Sequence, residues 1–325
     1  MSSQALLSLN TEQTLLIFER IIFAFSSLLN SCALFCLIRE TPPHQSQIRT
    51  YLLFIQATVI ISDVYFSVLF EPFPVFHVFA GYCVGLLCRS VKLTILFGIY
   101  ANIVALMGAT ILQCSIHRHQ TIVTRGRWAL SQRARSVLRW LLHIIYCGPC
   151  LVFATFPFSR EESETLIEKS TVDVRWIRDR GGYFMMKRTA VPLTIVALLV
   201  IILSVSFAVF ALVFAHLFVV LEKRGRKSSK LKRQITISMI RLFMQIGVPI
   251  LFILVPFTIL MIEVCFSFDF CLYVTSIIPF HPIVHNAILI LILPEYRNYF
   301  ISLLEKILPG RKCCKSTGPS SAPDS

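Results

Sequence analysis

Charged residues are scarce in this chain, and acids are the scarcer kind. Only 15% of the 325 residues are Asp, Glu, Lys or Arg, with 17 acids against 31 bases, whereas an ordinary soluble domain has about 25% charged residues. Hydrophobic residues make up 56% of the chain, and the mean hydropathy is +0.73. A soluble protein of this length cannot hide that much apolar surface. The composition therefore predicts a membrane protein.

Sequence motifs of enzymes and cofactor sites are also missing. The chain has no G-x-S-x-G, no H-E-x-x-H and no phosphate-binding glycine loop, and it has no N-x-S/T acceptor for N-glycosylation. Most of its 11 cysteines lie inside apolar runs, where a thiol behaves as a small hydrophobe, and they have no metal-ligand spacing. We expect no enzyme activity, no cofactor and no metal site.

Long apolar runs dominate what is present. About 20 apolar residues suffice to span a bilayer as a helix, and seven runs qualify. They lie at roughly 15–38, 49–70, 91–116, 137–157, 190–221, 235–262 and 271–293. The stretch from Thr194 to Leu221 carries no charged residue on any face, which favours lipid over the core of a soluble bundle. The sequence predicts an all-α membrane protein, a bundle of seven transmembrane helices spanning 15–293.

The basic residues indicate the orientation of this bundle, because cytoplasmic loops carry an excess of Lys and Arg. With the N-terminus (1–14) outside, the inner segments are 39–50, 115–139, 222–234 and the tail from 294. Their Lys and Arg counts are 2, 6, 7 and 5, together 20 of the 31. The N-terminus is therefore expected outside and the C-terminus inside. The net charge of +14 is better explained by topology and contact with anionic lipids than by nucleic acid.

The tail has its own pattern. Apolar residues recur at helical spacing over 294–310, which predicts a short amphipathic helix on the inner leaflet. The segment 311–325 has the composition of a disordered tail. Cys313 and Cys314 stand beside basic residues, which predicts palmitoylation, although two free cytosolic thiols would fit as well.

Asp63 is the most distinctive single residue, as the one acid that the sequence places well inside the seven spans. An ionisable group at that depth is costly and usually faces the bundle interior. Asp63 is either a polar node that biases helix packing between conformational states or a neutral carboxyl group that fixes the packing. The sequence leaves both open.

Two further groups of residues are candidates for binding. Glu71, Arg89 and Lys92 fall near the predicted outer mouth, where a ligand pocket between helices would open, although Lys92 could equally reach the lipid headgroups. On the inner side, basic residues form a surface that suits an acidic protein partner or anionic lipid. The residues of this inner surface that we expect to contact a partner are Arg118, Arg125, Arg127, Lys230 and Arg233.

Two regions of the chain, 30–125 and 275–300, contain a set of residues typical of one family. They are Thr41–Pro42, Tyr51, Asp63, Pro72, Pro74, Ala80-Gly81-Tyr82, Arg118-His119-Gln120, His281 and the Pro294-x-Tyr296-Arg297 run. In these residues the chain resembles nematode serpentine chemoreceptors of class I and the related class H. The resemblance implies a G-protein-coupled chemosensory receptor in the plasma membrane or cilia of sensory neurons. Its partners would be a small environmental molecule and a heterotrimeric G protein.

The chain departs from the common receptor pattern in several places. It lacks Asp-Arg-Tyr after the third span and Asn-Pro-x-x-Tyr in the seventh, and the loop 158–189 has no cysteine to pair with the third helix. Cys83 or Cys88 could pair with Cys265 or Cys271, but the sequence does not decide this. The alternative function is a transporter or channel, for which internal repeats and several intramembrane ionisable groups would be typical.

Overall fold

The computed structural model of the protein describes residues 8–41, 46–75, 80–123, 129–155, 159–187, 190–225, 240, 243–244, 247–256, 259 and 276–307. Eight α-helices of ten residues or more lie in these ranges. They are α1 (Leu9–Arg39), α2 (Ser46–Val64), α3 (Leu93–Ile122), α4 (Gln132–Thr155), α5 (Arg160–Lys169), α6 (Ala190–Gly225), α7 (Phe280–Ile292) and α8 (Pro294–Ile307).

Within the described ranges, four stretches are long and apolar enough to cross a bilayer: Leu9–Arg39, Ile48–Phe70, Leu93–Thr121 and Val200–Val220. α7 is a shorter apolar helix. Large apolar side chains such as Ile61 and Leu212 point outward, with 53% and 70% of their surface exposed. An outer surface of this kind is stable in hydrocarbon and unfavourable in water. The described helices therefore agree with a multi-span membrane protein.

α1 is central to the packing because it lies against both α2 and α7, and α3 contacts α2, α4 and α6. One apolar core joins Val59 of α2, Met107 and Ile111 of α3, and Phe210 of α6. Helices distant in the sequence are thus held around one interior. The polar side chains that enter this interior from α1, α2 and α7 are consequently brought close together.

α2 does not end as a regular helix. Beyond Val64 the chain continues as a π-helical stretch, Tyr65–Phe70, in which each hydrogen bond spans one residue more than in an α-helix. Glu71 ends it with a φ of 39°, a left-handed conformation that is uncommon outside glycine. The chain turns there directly into a small sheet.

This antiparallel sheet has the strand order β1-β2-β3, with β1 at Pro72–Val75, β2 at Ala80–Cys83 and β3 at Gly182–Met185. β1 and β2 join the end of α2 to α3, and β3 comes from the segment between α4 and α6. We call the end of the bundle where the sheet lies the sheet end. A Cβ atom on Gly182 would stand 2.4 Å from the carbonyl oxygen of Cys88, so this close strand contact requires glycine.

The predicted 158–189 loop is largely structured where it is described. α5 begins after Ser159, whose hydroxyl accepts a 2.9 Å hydrogen bond from the backbone N–H of Glu162. Glu161 and Glu162 in its first turn and Lys169 in its last complement the helix dipole. The helix then contacts β3, so this segment covers the sheet end.

α8 begins at Pro294, which has no N–H to leave unpaired at the first helical position. Its Tyr296 is 2% exposed, and a hydrogen bond of 2.5 Å joins the Tyr296 hydroxyl to that of Thr41 just after α1. The apolar side of α8 therefore packs against the end of α1 opposite the sheet.

Candidate functional site

A buried polar cluster links α1, α2 and α7. The Asp63 carboxylate accepts two hydrogen bonds at Oδ2, from the Ser26 hydroxyl at 2.5 Å and the Asn30 amide at 3.0 Å. Asn30 Oδ1 in turn accepts from Gln56 at 3.0 Å and from Asn286 at 2.7 Å. Asp63 therefore has partners on α1, and Asn30 connects three helices.

A cavity opens beside Asp63, between α2, α3, α7 and the helical segment at 247–256. Its walls are Ser62, Asp63, Phe66, Ser67, Tyr100, Ile253, Ile278, Pro279, His281 and Pro282. These residues come from the last turns of α2 and its π-helical continuation, the second turn of α3 and the start of α7, so the cavity lies toward the sheet end. The cavity volume is about 10 Å³, which is close to the space that one water molecule needs.

The cavity has polar groups that lack protein partners. Ser67 Oγ and His281 Nε2 are buried, and neither forms a hydrogen bond with any residue of the described ranges. Both residues are 2% exposed. Buried polar atoms are nearly always hydrogen-bonded, and each exception requires an explanation such as a bound molecule. The cavity thus offers unsatisfied hydrogen-bonding capacity next to a carboxylate.

A second buried polar cluster lies at the sheet end. Glu12 near the start of α1 is ion-paired with Arg180, and it also accepts a 3.0 Å hydrogen bond from the Tyr82 hydroxyl of β2. Burial, together with the negative charge of Glu12, raises the pKa of Tyr82, so this phenol stays protonated and donating. The cluster ties the 159–187 segment to α1 and the sheet.

A disulfide joins Cys83, the last residue of β2, to Cys88. The sequence offered Cys265 or Cys271 as the partner of Cys83 or Cys88, whereas the structure pairs Cys83 and Cys88 with each other, five positions apart. Cys265 and Cys271 lie outside the described residues. The short loop between β2 and α3 is thereby closed beside Gly182 of β3.

The three residues predicted at the ligand mouth do not line the cavity. Glu71 is 5% exposed, and its carboxylate lies 3.7 Å from the Nε of Arg20 in α1. Burial raises the pKa of Glu71, and Arg20 offsets part of that effect. Arg89 and Lys92 are exposed, and no ion pair joins them to a described residue. A role of these three in ligand binding stays a prediction.

Arg118 is the one residue of the predicted G-protein face that the structure describes. It lies half-buried in the last part of α3, near the thiol of Cys114 one turn earlier. The next residue, His119, shares a 2.9 Å hydrogen bond with His216 of α6. Arg125, Arg127, Lys230 and Arg233 fall outside the described residues, as do Cys313 and Cys314.

Glu19 corrects the expectation that Asp63 is the one acid inside the spans. It lies within α1, is 7% exposed, and is close enough to Glu71 for the two carboxyl groups to repel each other. The sequence carried a signal for it: Glu12, Glu19 and Ser26 are spaced seven residues apart, two turns of helix, so they share one face. That face is the buried one.

The family model described as "Serpentine type 7TM GPCR chemoreceptor Srh" matches residues 10–306. A search of curated proteins gives no match to this chain.

Proposed function

Because the chain belongs to the Srh family of serpentine seven-transmembrane chemoreceptors, we propose that it binds a small environmental ligand between its helices and signals to a heterotrimeric G protein. The observation that carries the proposal is the cavity beside Asp63. Ser67 and His281 have buried polar atoms there that lack a described hydrogen-bond partner. A ligand that moved the surrounding helices against each other would also change how these helices are arranged at the opposite end of the bundle. Small-molecule sites between bundle helices have this composition of mostly apolar walls and a few convergent polar groups.

The proposed topology is the seven-span bundle with the N-terminus outside and the C-terminus inside. Two observations support placing the sheet end outside the cell. The Cys83–Cys88 disulfide lies there, and disulfides persist in oxidising compartments. The basic segments 115–139 and 222–234 have little negative charge to balance their Lys and Arg residues. They follow the ends of α3 and α6 that lie opposite the sheet end, as expected for cytoplasmic loops.

The G-protein contact is proposed on the inner side, where Arg118 leads into that basic surface. Positive charge there would raise the association rate with an acidic partner and would also hold the chain to anionic lipid. α8 would rest on the inner leaflet, with acylation at Cys313 and Cys314. The plasma membrane of sensory neurons, including their cilia, is the proposed location.

The test is ligand-dependent nucleotide exchange. Membranes containing the full chain and purified heterotrimeric G proteins would be screened with small odorant-sized molecules, and GTP-analogue binding would be measured. Uptake of each active molecule into sealed vesicles would be followed in parallel. Exchange without uptake is the expected result, whereas uptake without exchange would show that the protein is a transporter and not a receptor.

A further inference from the structure

We propose that the cavity beside Asp63 takes the ammonium group of a small protonated amine, so that the ligand of this receptor is an organic cation. The inference rests on the proposed function, since it names the chemical class of the ligand at the same site. It follows from the charge of the surrounding helices, the unsatisfied atoms in the cavity and the size of the cavity.

Asp63 lines the cavity, and two further buried carboxyl groups lie on α1 and just after the π-helical stretch. Asp63, Glu19 and Glu71 are 4%, 7% and 5% exposed, and all three lie toward the sheet end. Glu71 pairs with Arg20, whose side chain is 68% exposed. No Lys or Arg of the described ranges lines the cavity. A buried carboxylate without a counter-ion is costly, so a bound cation would be stabilised here and a bound anion repelled.

The hydrogen-bonding groups match a primary ammonium. Asp63 uses Oδ2 for both of its bonds to α1, and no described donor reaches Oδ1. Ser67 Oγ and His281 Nε2 also lack described partners. An ammonium group has three donors and no acceptor. It would donate to the carboxylate, to the Ser67 hydroxyl, and to His281 Nε2 when the imidazole proton is on Nδ1.

The remaining walls suit the carbon part of such a ligand. Phe66 and Tyr100 provide aromatic rings, whose faces attract cations, and Ile253 and Ile278 are aliphatic. The cavity volume of about 10 Å³ accommodates an ammonium nitrogen but no longer chain. An attached alkyl group would therefore separate Ile278, just before α7, from Ile253. That movement couples ligand binding to the arrangement of the helices.

The test uses the full chain purified in lipid nanodiscs and three probes of the same size, namely propylammonium, 1-propanol and propionate. Propylammonium alone is expected to raise the thermal unfolding midpoint saturably. Asp63→Asn should weaken this effect by roughly tenfold or more in apparent affinity, and Ser67→Ala should weaken it several-fold. The matched control is Glu168→Gln, which removes an exposed carboxylate of α5 and should leave the effect unchanged.

Each outcome separates the ligand class from the receptor function. Equal stabilisation by 1-propanol, or none by propylammonium, overturns the amine proposal, as would an unchanged affinity in both Ser67→Ala and a folded Asp63→Asn. Nucleotide exchange evoked by a different class of molecule would then leave the receptor function intact. Saturable propylammonium binding without nucleotide exchange on any G protein would instead count against the proposed receptor function and in favour of the proposed amine site.

Discussion

Asn286 in α7 donates a 2.7 Å hydrogen bond to Asn30 in α1, joining residues 256 positions apart in the sequence. Gln56 of α2 donates to the same oxygen, and the Asn30 amide donates to Asp63. One amide side chain therefore holds the first two apolar helices to the last. In hydrocarbon, where helices gain little from apolar contact, such interhelical hydrogen bonds are a main source of specificity.

We expect Asn30→Ala to lower the free energy of unfolding by about 2 kcal/mol, because it leaves buried amides of Gln56 and Asn286 without a partner. Thermal unfolding of the purified protein would measure this. Ser31→Ala is the control, since Ser31 is exposed on the same helix and bonds only to the backbone of Ser27. Equal losses in the two variants would contradict the proposed role of Asn30.

The Glu12–Arg180 pair should hold the 159–187 segment over the sheet end. Arg180→Met leaves the Glu12 carboxylate, whose side chain is 8% exposed, without its cation, and breaking such a buried pair costs about 3 kcal/mol or more. Hydrogen exchange in β2 and β3 is expected to accelerate. Arg175→Met is the matched control, because its pair with Glu168 is 65% and 55% exposed and such pairs contribute little. Unchanged exchange in Arg180→Met would rule out this anchoring.

Glu71 should make stability depend on pH. Burial raises its pKa above the ordinary value of 4.5. The folded protein therefore binds more protons than the unfolded chain as the pH rises from 4.5 toward the folded pKa, and the free energy of unfolding falls across that window. Glu71→Gln should flatten this slope, as seen in unfolding midpoints between pH 4 and 7. The control Glu161→Gln, on the exposed side of α5, should leave the pH dependence of stability unchanged. If Glu71→Gln also left the slope unchanged, Glu71 would not be its cause.

Arg118→Ala is expected to leave surface expression intact while weakening G-protein coupling, because Arg118 leads into the proposed inner basic surface. Ligand-stimulated GTP-analogue binding, normalised to receptor at the cell surface, is the measurement. Lys169→Ala removes an exposed charge at the end of α5, on the opposite side of the protein, and should signal normally. Normal signalling by Arg118→Ala would remove this residue from the coupling face.

Cys313 and Cys314 should carry palmitate. Metabolic labelling of the parent chain and of a variant with both cysteines changed to serine should show a signal in the parent alone. Cys147→Ser, which removes a thiol within α4, should retain the label. A parent chain without label would end the acylation proposal.

The sequence predicted the helical class and most apolar helices because hydrophobic run length depends on local composition. α1 and α4 begin six and five residues earlier than the expected spans at 15 and 137, since amphipathic or polar turns extend a helix beyond its apolar part. The heptad spacing of Glu12, Glu19 and Ser26 would also have revealed the polar face of α1.

The partners across helices were not predictable in the same way. The sequence identified Asp63, but its contacts with Ser26 and Asn30 depend on which helices are neighbours, and one sequence does not contain that information. The Glu12–Arg180 pair spans 168 positions, and the β3 strand pairs with a hairpin about one hundred residues earlier. The π-helical stretch Tyr65–Phe70 gave no recognisable compositional signal.

That π-helical stretch also affects how this chain should be aligned with other receptors. A residue inserted into an α-helix turns everything after it by about 100°, so positions beyond Tyr65 face other neighbours than a regular helix would give them. If a relative has an unbroken second helix, aligning Ser67 or Glu71 with it by counting residues from Asp63 would place that residue on the wrong face of the helix. Alignments should be anchored separately at Asp63 and at Pro72.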